Sequence, residues 1–131
     1  MEQKVCLDTG VGIEIIKDTA TGVRILGLIE EHEIFISSIS VFELYLREFN
    51  IDKIDFFLEK INVLDFNHLT AIKASDISKY LKDKGLVLEF RDIFIAASCI
   101  VNNCSLLTLN KKHFERINGL RLLGLKWNIN F

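Results

Sequence analysis

The amino-acid sequence predicts an α/β fold: a single domain with a central, mostly parallel sheet of four to five strands flanked by helices. Short apolar runs alternate along the chain with longer segments in which apolar residues recur at the helical period. Of the 131 residues, 50% are hydrophobic and 26% are charged, a composition that can bury a core without disulfides or metal. The chain lacks proline, repeats and low-complexity tracts, so we expect one domain over residues 1–131.

The short apolar runs predict strands at residues 5–7, 34–36, 63–66 and 106–109, with a candidate fifth strand at 120–125. The helix-period segments predict helices near residues 11–17, 22–31, 39–49, 51–60, 68–84 and 91–102. Alternating strands and helices imply right-handed crossovers and a parallel sheet that is covered on both faces. Functional residues in such sheets lie beyond the carboxyl ends of the strands.

Composition excludes several classes of protein. The first ten residues lack the basic segment and long apolar run of a signal peptide, and the most apolar stretch, residues 94–101, is too short to cross a bilayer. We therefore expect a soluble, cytoplasmic protein. Cys6, Cys99 and Cys104 are odd in number and have no CxxC spacing, which favours buried thiols in a reducing compartment over a metal site or disulfides.

The net charge of −2 is unevenly spread. Residues 111–131 contain five of the 16 Lys and Arg residues but only one of the 18 Asp and Glu residues. An acidic balance elsewhere argues against a non-specific nucleic-acid coat, whereas a basic end can still bind a few phosphates. Charge alone favours the simpler interpretation, a solvated surface.

Three acidic residues stand at unusual places. Asp8 directly follows the first apolar run, which places it at the carboxyl edge of a strand, although Asp is also a favoured helix N-cap. Glu43 lies near a helix start on the stripe that Ile39, Phe42 and Leu46 predict to be buried, and its ordinary interpretation is an interaction with the helix dipole.

Asp92 repeats this placement, because it shares a helix face with Ile95, Ala96 and Cys99. Arg91 is a candidate ion-pair partner for Asp92, and capping is the ordinary alternative. A carboxylate on an apolar face is costly unless it is paired, hydrogen-bonded or bound to metal. Two acids at helix starts on predicted buried faces, together with Asp8, favour a shared site.

These acids lie in segments that resemble the PIN domain, particularly the single-domain toxins of VapBC toxin–antitoxin pairs. Residues 7–9, Leu-Asp-Thr, resemble the opening LDT signature, and residues 37–44 resemble the S-S-x-x-x-x-E-L segment. Residues 91–97 resemble the D-x-x-I-A-A helix. Residues 106–110, His113-Phe114 and Gly119-Leu120 resemble the closing strand and loop. The resemblance covers essentially the whole chain in the same order.

Two positions depart from the family pattern. Gly10 stands where such toxins usually carry Asn, and the last site position, commonly acidic, has Asn110 and His113 as candidates. An Asn carbonyl can still orient a metal-bound water, whereas His is a poorer ligand for a hard cation. The expected site is therefore three carboxylates with a neutral Asn110.

The resemblance implies a Mg²⁺- or Mn²⁺-dependent endoribonuclease. Asp8 and Asp92 would be the principal metal ligands, and Glu43 would act through water or a second ion. The hydrogen-bonding groups that would position water or phosphate are those of Thr9, Thr108 and Asn110. The cations that would hold the RNA backbone are those of Lys111, Lys112 and Arg116.

For such toxins the resemblance also implies a homodimer and a cognate antitoxin. The aromatic residues that would supply an apolar surface for either contact are Tyr45, Phe49, Phe56 and Phe57, although most of them are predicted to be core.

Other interpretations remain open. A haloacid-dehalogenase-type phosphatase would need a second Asp at position 10, which is Gly, and a phosphorelay receiver would need acids clustered before Asp8. A catalytically silent PIN-like domain that binds RNA or protein, and a DNA-directed nuclease of related fold, are the stronger rivals.

Overall fold

The computed structural model describes residues 2–48 and 50–123. Its sheet contains four parallel strands in the order β3-β2-β1-β4. The strands are β1 (Lys4–Leu7), β2 (Glu33–Ser37), β3 (Asn62–Leu64) and β4 (Ser105–Leu107). The helices are α1 (Thr9–Ile16), α2 (Ala20–Ile29), α3 (Ser38–Tyr45), α4 (Ile51–Leu58), α5 (His68–Asp83), α6 (Phe90–Val101) and α7 (Lys111–Phe114). The predicted α/β fold with a parallel sheet is confirmed.

The central strand β1 separates two apolar layers, because successive side chains of a strand point to opposite faces of the sheet. Cys6 packs with buried residues of α5 and α6, whereas Val5 and Leu7 pack with those of α1 and α2. All three side chains are fully buried. Helices therefore cover both faces of the sheet. Polar side chains can gather at its carboxyl edge, which the helices leave open.

Two strands end earlier than predicted, and hydroxyl groups at the carboxyl edge accept hydrogen bonds from backbone N–H groups just beyond them. β3 ends at Leu64, and the Phe66 N–H donates to Ser38 Oγ at 3.2 Å. β4 ends at Leu107, and the Asn110 N–H donates to Thr108 Oγ1 at 3.0 Å.

The candidate fifth strand at 120–125 is reduced, in the described part of the chain, to one parallel bridge between Leu106 and Leu122. Residues 124 and 125 lie outside the described residues. Helix α7 is an addition that the sequence did not predict, because four residues are too few to show a helical period.

Helices α3 and α4 expose side chains whose burial was predicted, and these predictions are wrong. Phe42 and Leu46 are 55% and 56% exposed, and α3 instead buries Ser40 and Leu44, one helical turn apart. Tyr45 is 39% and Phe56 60% exposed, while Phe57 is partly buried and Phe49 lies outside the described residues. We call Phe42, Tyr45, Leu46 and Phe56 the α3–α4 apolar surface.

The three cysteines are buried free thiols, as predicted. Burial raises the pKa of Cys104 to about 11, which keeps this thiol in its unreactive protonated form at neutral pH. Within residues 2–48 and 50–123, no helix combines the length and the apolar character that a membrane span needs.

Candidate active site

The carboxyl edge of the sheet brings together polar residues from three neighbouring strands. Asp8 follows β1, Ser37 ends β2, and Thr108 follows β4. Because β1 lies between β2 and β4, these residues meet around Asp8. The Asp8 N–H donates to the Leu107 carbonyl at 2.9 Å, which fixes the backbone at the point where the carboxylate leaves the sheet.

Asp8 lies at the carboxyl end of β1, as predicted, and also fits the alternative interpretation as a helix N-cap. It is the N-cap of α1, with Oδ1 accepting the Thr9 N–H at 2.9 Å. Its other oxygen, Oδ2, accepts the Thr108 hydroxyl at 2.7 Å. Burial raises the pKa of Asp8, and the charges of Asp92 and Glu43 add to this rise, while the hydrogen bonds from Thr108 and Thr9 oppose it. Asp92 and Glu43 therefore both lie near enough to Asp8 to repel its carboxylate.

Glu43 is held by a chain of hydroxyl groups. Thr9 Oγ1 lies 2.8 Å from Glu43 Oε1 and 2.8 Å from Ser40 Oγ, and Ser40 Oγ lies 3.3 Å from Ser37 Oγ. An ionised carboxylate only accepts, so the Thr9 proton points to Glu43. Ser40 must then donate to Thr9, and Ser37 to Ser40. Both serines are fully buried, so water does not compete for their hydroxyl groups, and the chain orients the partly exposed Glu43.

Asp92, in the first turn of α6, is paired with His113 of α7. His113 Nε2 lies 2.9 Å from Asp92 Oδ2, and the two side chains are 29% and 27% exposed. From the sequence, His113 is considered only as a metal ligand, and this contact is not predicted. No local signal reveals it, because the pair is 21 residues apart and depends on how α7 docks.

Arg91 does not pair with Asp92 as predicted. Its guanidinium donates to Glu89 Oε1 from Nε at 3.1 Å and from Nη2 at 2.9 Å. Its Nη1 also lies 3.7 Å from Glu43 Oε2. Adjacent helix residues point about 100° apart. Asp92 therefore faces the sheet edge, while Arg91 reaches towards α3.

The remaining predicted residues lie around this cluster. Lys111 and Lys112 are exposed at the start of α7, and Asn110 is the exposed residue before them, whose backbone N–H binds Thr108. Arg116 follows α7, and its Nη1 donates to the Val87 carbonyl at 3.3 Å. The structure thus brings Thr9 and Thr108 into direct contact with the acids and places the three cations on the segment that carries His113.

The donor set fits a hard divalent cation that keeps part of its water. Among the described residues, no three His, Cys, Asp or Glu side chains are arranged to hold a metal ion by themselves. Mg²⁺, however, is usually bound through only one or two carboxylates. Asp8 and Asp92 supply oxygen atoms, and a cation between them would relieve the repulsion that raises the pKa of Asp8.

Comparison with known proteins identifies the family of this chain. The chain matches the family model described as PIN domain over residues 5–120. It is 33% identical over 102 residues to Ribonuclease VapC2 of Rickettsia felis, covering 72% of this chain and 76% of the relative. It is 30% identical over 125 residues to the tRNA(fMet)-specific endonuclease VapC of Shigella flexneri, covering 90% and 95%.

The fold is also similar to a solved complex. It matches the crystal structure of VapBC2 from Rickettsia felis bound to a DNA fragment from their promoter, with a TM-score of 0.82 and 30% sequence identity. The match covers 92% of this chain and 97% of the chain in that structure. The chain therefore belongs to the PIN-domain family, and within it to the VapC ribonucleases.

Proposed function

We infer that this chain is an endoribonuclease that cleaves RNA phosphodiester bonds and acts as the toxin of a toxin–antitoxin pair. The observation that carries this inference is the convergence of Asp8, Glu43 and Asp92 at one sheet edge of a PIN fold. Relatives named as ribonucleases, one of them specific for tRNA(fMet), support RNA as the polymer. The family match over residues 5–120 supports one nuclease domain over residues 1–131, and the free thiols fit a cytoplasmic location.

Asp8 and Asp92 would hold Mg²⁺ or Mn²⁺, which when bound polarises the phosphate and lowers the pKa of its water. Glu43, whose Oε1 accepts from the Thr9 hydroxyl and whose Oε2 lies 3.7 Å from Arg91 Nη1, would take the proton of the attacking water. Thr9 would fix the carboxylate of Glu43, and Thr108 would fix that of Asp8. Asn110, at the exposed end of the same network, would position water or a phosphate oxygen.

The cations beyond β4 would hold the RNA backbone. Lys111 and Lys112 stand on α7, and Arg116 follows it, so all three lie on the segment whose His113 reaches the acidic cluster. Phosphate contacts of this kind position a nucleic acid without reading its sequence. They would place the scissile phosphate over Asp8 and Asp92.

The partners proposed for this chain are a cognate antitoxin and a second copy of itself. The α3–α4 apolar surface supports a protein contact, because large side chains such as Phe42 and Phe56 stay more than half exposed. The Tyr45 hydroxyl donates to Asp55, which ties α3 to α4 within this surface. We assign this surface to the antitoxin.

A cleavage assay with purified chain tests the function. RNA should be cut in the presence of Mn²⁺ or Mg²⁺, cutting should stop with EDTA, and excess Mn²⁺ should restore it. Single-stranded DNA of the same sequence should survive, and its cleavage at an equal rate would favour a DNA-directed nuclease. RNA that shifts in a gel without products would favour the catalytically silent binding module, for which the replacement of a site acid by Asn110 is the motivating observation.

A further inference from the structure

The proposed reaction assigns no role to the contact between His113 and Asp92. His113 Nε2 lies 2.9 Å from Asp92 Oδ2, and His113 is, with Asn110, one of the two candidates for the position where the family pattern leads one to expect a further acid. An ionised carboxylate has no proton to give, so Nε2–H is the donor in this hydrogen bond. This arrangement needs only the tautomer that carries its proton on Nε2, whatever the charge of the ring.

The His113 imidazole is held in place by contacts within the α7 segment. Phe114 and Ile117 are 2% and 3% exposed and anchor the α7 segment in the core. The His113 N–H donates to the Asn110 carbonyl at 3.2 Å, and the His113 ring lies edge-on to the Phe114 ring with centroids 5.8 Å apart. His113 is therefore fixed before any ligand arrives, and Asp92 is the side chain that it orients.

Direct metal binding by His113 explains the contact less well. Nε2 is turned to Asp92, so it has no lone pair for a cation, and hard divalent ions prefer oxygen. The hydrogen bond from His113 occupies Oδ2 of Asp92 and stops the carboxylate from rotating. Oδ1 of Asp92 is then left for the ion. Hydrogen bonds to a ligating carboxylate from outside the coordination sphere commonly strengthen metal binding.

We propose that His113 is a positioning residue that donates to Asp92 Oδ2 and presets this carboxylate for a divalent cation. The hydrogen bond thus replaces the additional acid by improving the geometry of one that is already present. This inference rests on the proposed metal-dependent function, because it assigns Asp92 to the ion.

Mn²⁺ titration of the full-length chain by calorimetry, without RNA, tests the proposal. His113→Ala should weaken Mn²⁺ binding by about 10- to 100-fold, the range seen when such supporting hydrogen bonds are removed. His113→Gln places an amide N–H where Nε2 stands and should restore most of the affinity. His113→Asn places its amide where Nδ1 stands, too far from Asp92, and should behave like His113→Ala. His32→Gln, at the opposite end of β2, should leave the affinity unchanged.

RNA cleavage gives an independent readout. His113→Ala should need a higher Mn²⁺ concentration for half-maximal rate and should approach the wild-type rate at saturation. Equal Mn²⁺ affinity of wild type and His113→Ala would overturn the role of His113 alone. Equal Mn²⁺ affinity of His113→Gln and His113→Asn would also overturn the role of His113. This comparison holds even if His113→Ala fails to fold. A wild-type chain that binds no Mn²⁺ would overturn both this role and the metal dependence on which it rests.

Discussion

Thr108 Oγ1 donates a 2.7 Å hydrogen bond to Asp8 Oδ2, although the two residues are 100 positions apart in the sequence. The same hydroxyl oxygen accepts the Asn110 N–H, so the residues beyond β4 are connected directly to the acid beyond β1. This bond opposes the rise that burial and the neighbouring charges cause in the pKa of Asp8. Asp8 is thus an acid whose ionised form the fold disfavours in the absence of a cation.

Asp8→Asn should abolish RNA cleavage and increase the thermal stability of the metal-free protein at pH 7. The raised pKa means that ionising Asp8 costs more in the folded than in the unfolded state, so the carboxylate destabilises the fold above its folded pKa. This cost disappears as the pH falls below the ordinary Asp value of 3.8, where both states are protonated. The Tm difference between variant and wild type, measured from pH 7 to pH 3, should therefore shrink towards zero.

Calorimetry with Mn²⁺ supplies the control for Asp8. The ion should raise the Tm of the wild type and leave that of Asp8→Asn nearly unchanged. Undiminished RNA cleavage by a pure Asp8→Asn sample would remove Asp8 from the site.

Thr9→Val should lower the cleavage rate by about 10- to 100-fold, because it removes the hydroxyl between Glu43 and the buried serines while preserving side-chain shape. Thr9→Ser keeps the hydroxyl and is the matched control, with a rate near that of the wild type. Single-turnover rates at saturating Mn²⁺ and RNA measure the effect. Similar rates for the Val and Ser variants would show that the hydroxyl chain does not act on Glu43.

The double variant Lys111→Gln, Lys112→Gln should weaken RNA binding for all sequences alike. Each lysine that contacts a phosphate contributes about 0.7 to the slope of log K against log salt concentration on a single strand. The slope, measured between low and high salt, should therefore decrease by about 0.7 for each contacting lysine that is removed. Lys53→Gln, which removes one positive charge from α4, should keep the wild-type slope, and an equal loss per lysine there would reduce the effect to net charge.

Phe56→Glu should weaken capture of the antitoxin, because it replaces an exposed aromatic ring assigned to the α3–α4 apolar surface with a charge. Phe56 is 60% exposed, so the free energy of unfolding should change by only about 0.5 kcal/mol. Co-purification of the two proteins and urea denaturation of the isolated chain measure the two effects. Val87→Glu, at an exposed apolar position before α6, is the comparison, and equal losses for both variants would argue against a specific contact at α3–α4.

Local sequence patterns predicted the order of strands β1–β4 and helices α1–α6 and singled out the three candidate acids. Strand and helix periods are local properties, so β1 and α6 lie close to their predicted positions. A carboxylate directly after a short apolar run stands at a strand end. The position of Asp8 at the carboxyl end of β1 therefore follows from the sequence. The burial of Phe42 and Leu46 was mispredicted, because period alone does not say which face of a short helix meets the core.

The hydrogen-bond partners of these acids follow from strand register and helix docking. Thr108 reaches Asp8 because β4 pairs with β1 in register, with Leu107 beside Leu7. His113 reaches Asp92 because Phe114 docks α7 in the core, and Arg91 turns to Glu43 because α6 packs beside α3. Such contacts join residues far apart in sequence, and their geometry depends on strand register and helix docking. Local sequence patterns encode neither, so the hydrogen bonds that tune the site emerge only when the whole domain is packed.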